Sequence, residues 1–170
     1  MKSFQKSVFI LCLLLALPLQ AAIPNTGSLN LSLKKGGHQV TLNAKSIPFN
    51  HSSHSGEKDF IGTDGGKPST EFDFIKVSLD GKEIPINKKW YQDLYNPNLT
   101  KESFKIALGD DLKTVWAYMS GSDAAGHYDV IWVFPVIGPP SRIVSQSSDS
   151  NLCDLSIFDE MSKGNFHEVK

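Results

Sequence analysis

Cysteine is scarce in this sequence, charge of neither sign is in large surplus, and no apolar stretch is long enough to cross a membrane as a helix. Each shortage excludes something. There are two cysteines in 170 residues, Cys12 and Cys153. Cys12 lies inside an N-terminal apolar run, Val8 to Leu17, that is about half the length a membrane-spanning helix needs. Lys2 and Lys6 precede the run, Pro18 breaks it and the small pair Ala21-Ala22 follows it, which is the pattern of a secretory leader. Residues 1–22 are therefore expected to be removed. What remains is an exported chain, periplasmic or extracellular, with no transmembrane anchor, one thiol and no internal disulfide. A lipid anchor needs a cysteine at the cleavage point, and none stands there.

The whole chain carries 17 basic and 18 acidic residues; taking away Lys2 and Lys6 leaves 15 against 18, a net charge near −3. Nucleic-acid binding rests on a surplus of cations that displaces phosphate counterions, so it is not expected here. The 13 glycines, nine prolines and 10% aromatic residues exclude a coiled coil, a collagen and a wholly disordered chain. Enzyme signatures are also missing. No Gly-x-Ser-x-Gly elbow and no Gly-x-x-x-x-Gly-Lys-Ser/Thr phosphate loop occurs. Cys153 and His167, the only downstream Cys-His pair, fall in a helix-and-tail segment that gives no reason for them to meet. No catalytic residue is assigned and no cofactor is expected.

What the chain does have is apolar alternation with period two. Leu29, Leu31 and Leu33 alternate with polar residues, Lys35-Gly36-Gly37 turns, and Val40, Leu42 and Ala44 resume the pattern, which makes a hairpin. Ile47-Pro48-Phe49 reads as an edge, because proline cannot donate to a central ladder. Residues 50–70 read as a long exposed loop. A second hairpin turns at Asp80-Gly81, with Phe72, Phe74 or Ile75, Val77 and Leu79 before it. Trp90, Tyr91, Leu94 and Tyr95 suggest one or two helical turns within 87–99. Strands follow from Phe104, from Lys113, from His127 and from Arg142, the third of these apolar on both faces and so central. Leu152, Leu155, Phe158 and Met161 recur every three residues up to Gly164, the stripe of a short amphipathic helix whose apolar face is expected to dock on the sheet, the alternative being a partner-binding element.

These patterns predict a mainly β fold: an antiparallel β-sandwich or small barrel of about eight or nine strands with a short C-terminal helix. The β domain spans 23–146, and 147–170 is a Ser-rich linker with a helix and tail.

Three groups of residues carry candidate chemistry. His51 and His54, with Asp59 close by, have the residue types of a zinc or copper site. His127 and Asp129 stand two apart on one strand face and so are placed to interact. The stretch Ser120-Gly121-Ser122-Asp123-Ala124-Ala125-Gly126-His127-Tyr128 mounts a small polar loop on two of the most apolar strands, the usual way of presenting a binding loop. Over nine residues its Ser-Gly followed by Tyr resembles the protruding Ser-Gly…Tyr loop of periplasmic lysozyme inhibitors, with a different spacing. That resemblance implies insertion into the active-site cleft of a wall-degrading enzyme. The plain alternative places Tyr128 in the core beside Val130.

The expected function is non-enzymatic binding of a protein or cell-envelope component through loop 120–127, with Ser120, Gly121, Ser122, Asp123, His127 and Asp129 as its contact residues. An inhibitor or immunity-type protein directed at a cell-wall hydrolase is a special case of that reading. The alternative from another class is a metal-dependent hydrolase assembled from some of His38, His51, His54, His127 and Asp129.

Overall fold

A computed structural model describes residues 26–54, 60–122, 124–146 and 155–163. The leader, Asp59, Asp123, Cys153 and His167 lie outside the described residues. Eight strands form two separate antiparallel sheets, so the sandwich is adopted rather than a closed barrel. The first holds β1 (Ser28–Lys35), β2 (His38–Pro48), β3 (Thr70–Leu79) and β4 (Lys82–Ile84); the second holds β5 (Phe104–Leu108), β6 (Thr114–Gly121), β7 (Tyr128–Pro135) and β8 (Ser141–Gln146). Each sheet is a meander in chain order. One helix, α1 (Leu155–Ser162), follows.

Alternation decides which side chains meet between the sheets. Leu29, Val40, Leu42, Ala44, Ile75, Val77 and Leu79 point inward from the first sheet, and Phe104, Leu108, Val115, Met119, Tyr128, Val130, Trp132 and Phe134 from the second. The ambiguity between Phe74 and Ile75 has a physical cause. Lys45 pairs with Phe74 but Ser46 pairs with Phe72, so Asp73 is an extra residue and a β-bulge interrupts β3. The bulge restores the inward face to Phe72, which is 1% exposed, and leaves Phe74 outside, where Lys76 lies over its ring at 5.3 Å. On the side opposite β1 and β5, residues 88–95 cross between the sheets. There the Trp90 carbonyl accepts both Trp132 Nε1 at 2.9 Å and Arg142 Nη1 at 3.1 Å, while Arg142 grips Asp93 with two bonds at 2.6 and 2.5 Å.

The outer faces differ. That of the first sheet is polar, with Asn30, Ser32, Gln39, Thr41, Asn43, Lys45, Lys76 and Ser78, as a solvated antiparallel face should be. That of the second carries Trp116, Tyr118, Ile131 and Val133, and α1 lies on it. Phe158 is 3% exposed against Tyr118, with ring centroids 5.9 Å apart. Of the period-three stripe, Phe158 and Met161 dock on the sheet together with Ile157, whereas Leu155 is 41% exposed and Leu152 lies outside the described residues.

Pro48 ends β2 beyond the reach of β1, whose pairing stops at Lys45, so residues 47–48 pair with β3 alone and are locally an edge, as the proline indicates. The helical turns expected within 87–99 amount to one 3₁₀ turn, Lys88–Trp90, capped by the Asn87 side chain on the Lys89 amide. One local expectation needs correction: the polar stretch 50–70 is not exposed throughout, since Gly62, Pro68 and Thr70 are buried and Ile61 bridges to Leu94.

Candidate functional site

The segments joining β2 to β3, β4 to β5 and β6 to β7 gather at one end of the sandwich. Tight turns of the other four connections occupy the opposite end, where Lys35 reaches the Leu108 carbonyl and Asp110. All the candidate residues of the 50–54 and 120–129 stretches therefore belong to one end.

Ser120 and Gly121 are the last residues of β6 rather than loop residues, and Gly121 pairs with Tyr128 in the final rung. Tyr128 is fully buried among core side chains, as the alternation with Val130 predicts. Its ring lies so close over Gly121 that a Cβ there would overlap it, and a Cβ on Gly62 would overlap the Tyr95 carbonyl oxygen. The Ser-Gly and Tyr that resemble the inhibitor loop thus form its base. Above it a 3₁₀ turn over Ala124–Gly126 forms the described tip, with Ala125 exposed and Gly126 buried against Thr63.

That protrusion is tied down. The Ser122 amide donates to the Asn96 carbonyl at 3.0 Å, and Asn98 Nδ2 donates to the Ser122 carbonyl at 2.8 Å. Asn96 also holds the β2–β3 segment: its Oδ1 accepts from the amides of Ser69 and Thr70, and its Nδ2 donates to the Gly62 carbonyl at 2.7 Å. Asparagine suits the place because its backbone is left-handed, φ 48°, which few residues other than glycine adopt. Sequence reading missed Asn96; the cue was Asn-Pro-Asn at 96–98, a turn signal between aromatic and apolar segments.

On the outer face beside this loop, His127 Nε2 lies 3.1 Å from Asp129 Oδ2, and the Tyr118 hydroxyl donates to Asp129 Oδ1 at 2.7 Å. The His127 side chain is 36% exposed and that of Asp129 16%. Ser120 and Ser145 face Asp129 from the neighbouring strands. A carboxylate fixed by a phenol in this way orients the imidazole and leaves Nδ1 toward the surroundings. The strand-face argument brought His127 and Asp129 together correctly; Tyr118, diagonal to Asp129 on β6, was not singled out.

His51 and His54 part company. His51 is exposed, edge-on to Phe49 at 4.8 Å, whereas His54 stacks on Phe49 at 4.9 Å and contributes to a cluster with Phe60 and Tyr95. Both nitrogens of His54 are engaged, Nε2 with Glu71 Oε2 at 2.8 Å and Nδ1 with the Tyr95 hydroxyl at 3.3 Å. Glu71, a residue the sequence did not mark, is 7% exposed and is satisfied as a carboxylate by this imidazole. Metal binding needs a bare ring nitrogen, so His54 would have to give up one of these partners first. Among the described residues no group of three or more His, Cys, Asp or Glu side chains converges on one point.

Comparison of the chain with protein-family models, with curated proteins and with solved structures finds no match in any of the three.

Proposed function

We propose that this protein is an exported, non-catalytic binding protein that recognises a protein or cell-envelope component with loop 120–127, backed by residues 60–63 and 94–98. The observation that carries the reading is the His127–Asp129 pair. It is a partly exposed imidazole and carboxylate, oriented by Tyr118, on the rim of a loop that Asn96 and Asn98 hold in place. Such preorganisation lowers the ordering cost of association, and the paired polar groups supply direction. Residues 50–54, pinned by His54 to Glu71, extend the same end of the molecule and give the partner a second contact.

A photoreactive side chain at Ala125, with Asn30 on the opposite outer face as the control position, tests this in an envelope extract. The expected result is one cross-linked partner from position 125, absent from position 30 and lost in His127→Ala and Asp129→Asn. Equal yields from both positions, or capture untouched by alanine replacement across 120–127, overturns the proposal. Should the partner be a wall hydrolase, its inhibition by the parent protein and not by the His127→Ala variant identifies the inhibitor case.

A further inference from the structure

The sandwich has four edge strands, and three of them are poor places for a further strand to pair. β4 is three residues long and runs into Pro85. β8 follows Pro139-Pro140, and its Arg142 is tied to Trp90 and Asp93 of the crossing segment. β5 is five residues long, and the carbonyl of its last residue, Leu108, accepts Lys35 Nζ. β1 differs: it has eight residues, no proline, and a register with β2 that no bulge interrupts. Long regular edges are templates for pairing with another chain, and natural sheets usually blunt them.

Hydrogen bonding along β1 alternates. The Ser46 amide donates to the Gly27 carbonyl at 2.9 Å, so in the β1–β2 register Leu29, Leu31, Leu33 and Lys35 also turn their amides and carbonyls toward β2. Those of Ser28, Asn30, Ser32 and Lys34 point the other way, and no group among the described residues bonds to them. Leu31 and Leu33 beside this edge are only half-buried, as is Ile106 on β5, which packs beneath β1 and β2. On the opposite side of the sandwich the corresponding gap is crossed by residues 88–95.

The sequence of β1 selects the strand that fits. Ser28-Leu29-Asn30-Leu31-Ser32-Leu33-Lys34 has the same order of polar and apolar residues from either end, so an antiparallel copy complements it. With the two-fold at Leu31, that residue meets its own copy and Leu29 meets Leu33 on the inner face, while Asn30 meets Ser32 and Ser28 meets Lys34 on the outer. The open amides and carbonyls then pair with one another, and no like charges stand opposite. A shift of two residues either way sets Leu33 against Gly27 or Leu29 against Lys35, whose Nζ is held by Leu108 and Asp110.

We infer that the protein forms a two-fold dimer by antiparallel pairing of β1 with β1 of a second copy, which joins the two first sheets into one of eight strands. The inference does not rest on the loop surface proposed above, but it sets those surfaces at opposite ends of the dimer.

Sedimentation equilibrium of the intact protein tests it. A reversible dimer is expected, and Ser32→Pro should weaken it at least about tenfold, because the Ser32 amide faces the second copy and bonds nothing in its own chain. Single cysteines, with the native cysteines replaced by Ser, test the register without that proline. Leu31→Cys should cross-link to its own copy under mild oxidation, since Cα atoms of a non-hydrogen-bonded antiparallel pair lie about 4.5 Å apart, within disulfide reach. Asn30→Cys, on the outer face and off the two-fold, should not. Should the proline unfold the chain, the cysteine pair alone decides. A monomer at all concentrations up to about 1 mM, a folded Ser32→Pro variant that dimerises as the parent does, or equal cross-linking from positions 30 and 31 refutes the dimer.

Discussion

Asn96 and Ser122 are both left-handed, φ 48° and 58°, and the amide of the second donates to the carbonyl of the first at 3.0 Å. One bond between two conformationally costly residues thus joins the β4–β5 segment to the β6–β7 loop. A residue in this region persists only when its surroundings over-determine it.

Asn96→Ala should be the most damaging polar substitution at this end. It deletes bonds to Ser69, Thr70 and Gly62, each worth about 1 kcal/mol, and adds left-handed strain of about 1 kcal/mol. Urea unfolding is expected to show a loss of about 3–4 kcal/mol, with Asn96→Gly about 1 kcal/mol milder because it relieves the strain alone. Equal losses for the two variants would remove the backbone part of this account.

Tyr128 offers the opposite sign. Its hydroxyl is buried and has no hydrogen-bond partner among the described residues, and burial, with a smaller contribution from Asp93, pushes the phenol well above its ordinary value. Tyr128→Phe removes an unsatisfied group and should be neutral or stabilising by about 1 kcal/mol. Gly121→Ala, by contrast, drives a methyl into the same ring and should cost more than about 2 kcal/mol. The two measured together by chemical denaturation separate the polar effect from the steric one.

At the turn end, Asp80 is held below the ordinary carboxylate value by the Gln39 amide first and the His38 side chain second. A depressed folded pKa contributes stability above the unfolded value, about 3.9, and that contribution disappears as the pH falls through the folded one. Asp80→Asn should therefore flatten the acid limb of a stability–pH curve below about pH 4 and leave its slope near neutrality unchanged. An unaltered acid limb contradicts the prediction.

Breaking the His54–Glu71 pair from one side strands the other. With side chains 17% and 10% exposed, Glu71→Ala is expected to cost about 3 kcal/mol and to raise amide exchange in residues 50–54, whereas His54→Gln with Glu71→Gln together should recover part of the loss. Additive losses in that cycle would mean the two residues act independently.

Phe158→Ala should undock α1 without unfolding the sheets. An eight-residue helix is not stable alone, so exchange throughout Leu155–Ser162 should rise to that of an open segment while β7 amides remain protected. Simultaneous loss of β7 protection would show that helix and sandwich form one cooperative unit.

The strands were legible because alternation is local: Leu29-Leu31-Leu33 and Tyr128-Val130-Trp132-Phe134 state their inward faces without reference to partners. The helix was legible for the same reason. Asp73 was not, since a bulge is a property of the pairing with Lys45 and Ser46 and leaves no mark on β3 alone. At the candidate site, His127 and Asp129 were readable because two residues on one strand share a face. Asn96 and Glu71 were not, because each holds its place through bonds to segments far away in sequence, 71 to 54 and 96 to 62, and Tyr118 was not because its reach to Asp129 depends on the register of β6 against β7. The polar composition of 50–70 misled for a related reason: backbone groups of Ile61 and Gly62 are satisfied by Tyr95 and Asn96, so few apolar side chains are needed to hold them.

Each sheet is a meander of consecutive strands, residues 28–84 in one and 104–146 in the other. Every ladder therefore pairs strands that are consecutive in the chain, with residues 49–69 between β2 and β3 the longest closure within a sheet, and the most distant step is the docking of two prebuilt halves. Chain-closure entropy is small for such pairings, so this sandwich should fold faster than Greek-key sandwiches of its size, whose strands pair across both sheets. During synthesis the first half can complete its hydrogen bonding before the second has left the ribosome, and its inward apolar face then waits for β5 to β8 to cover it.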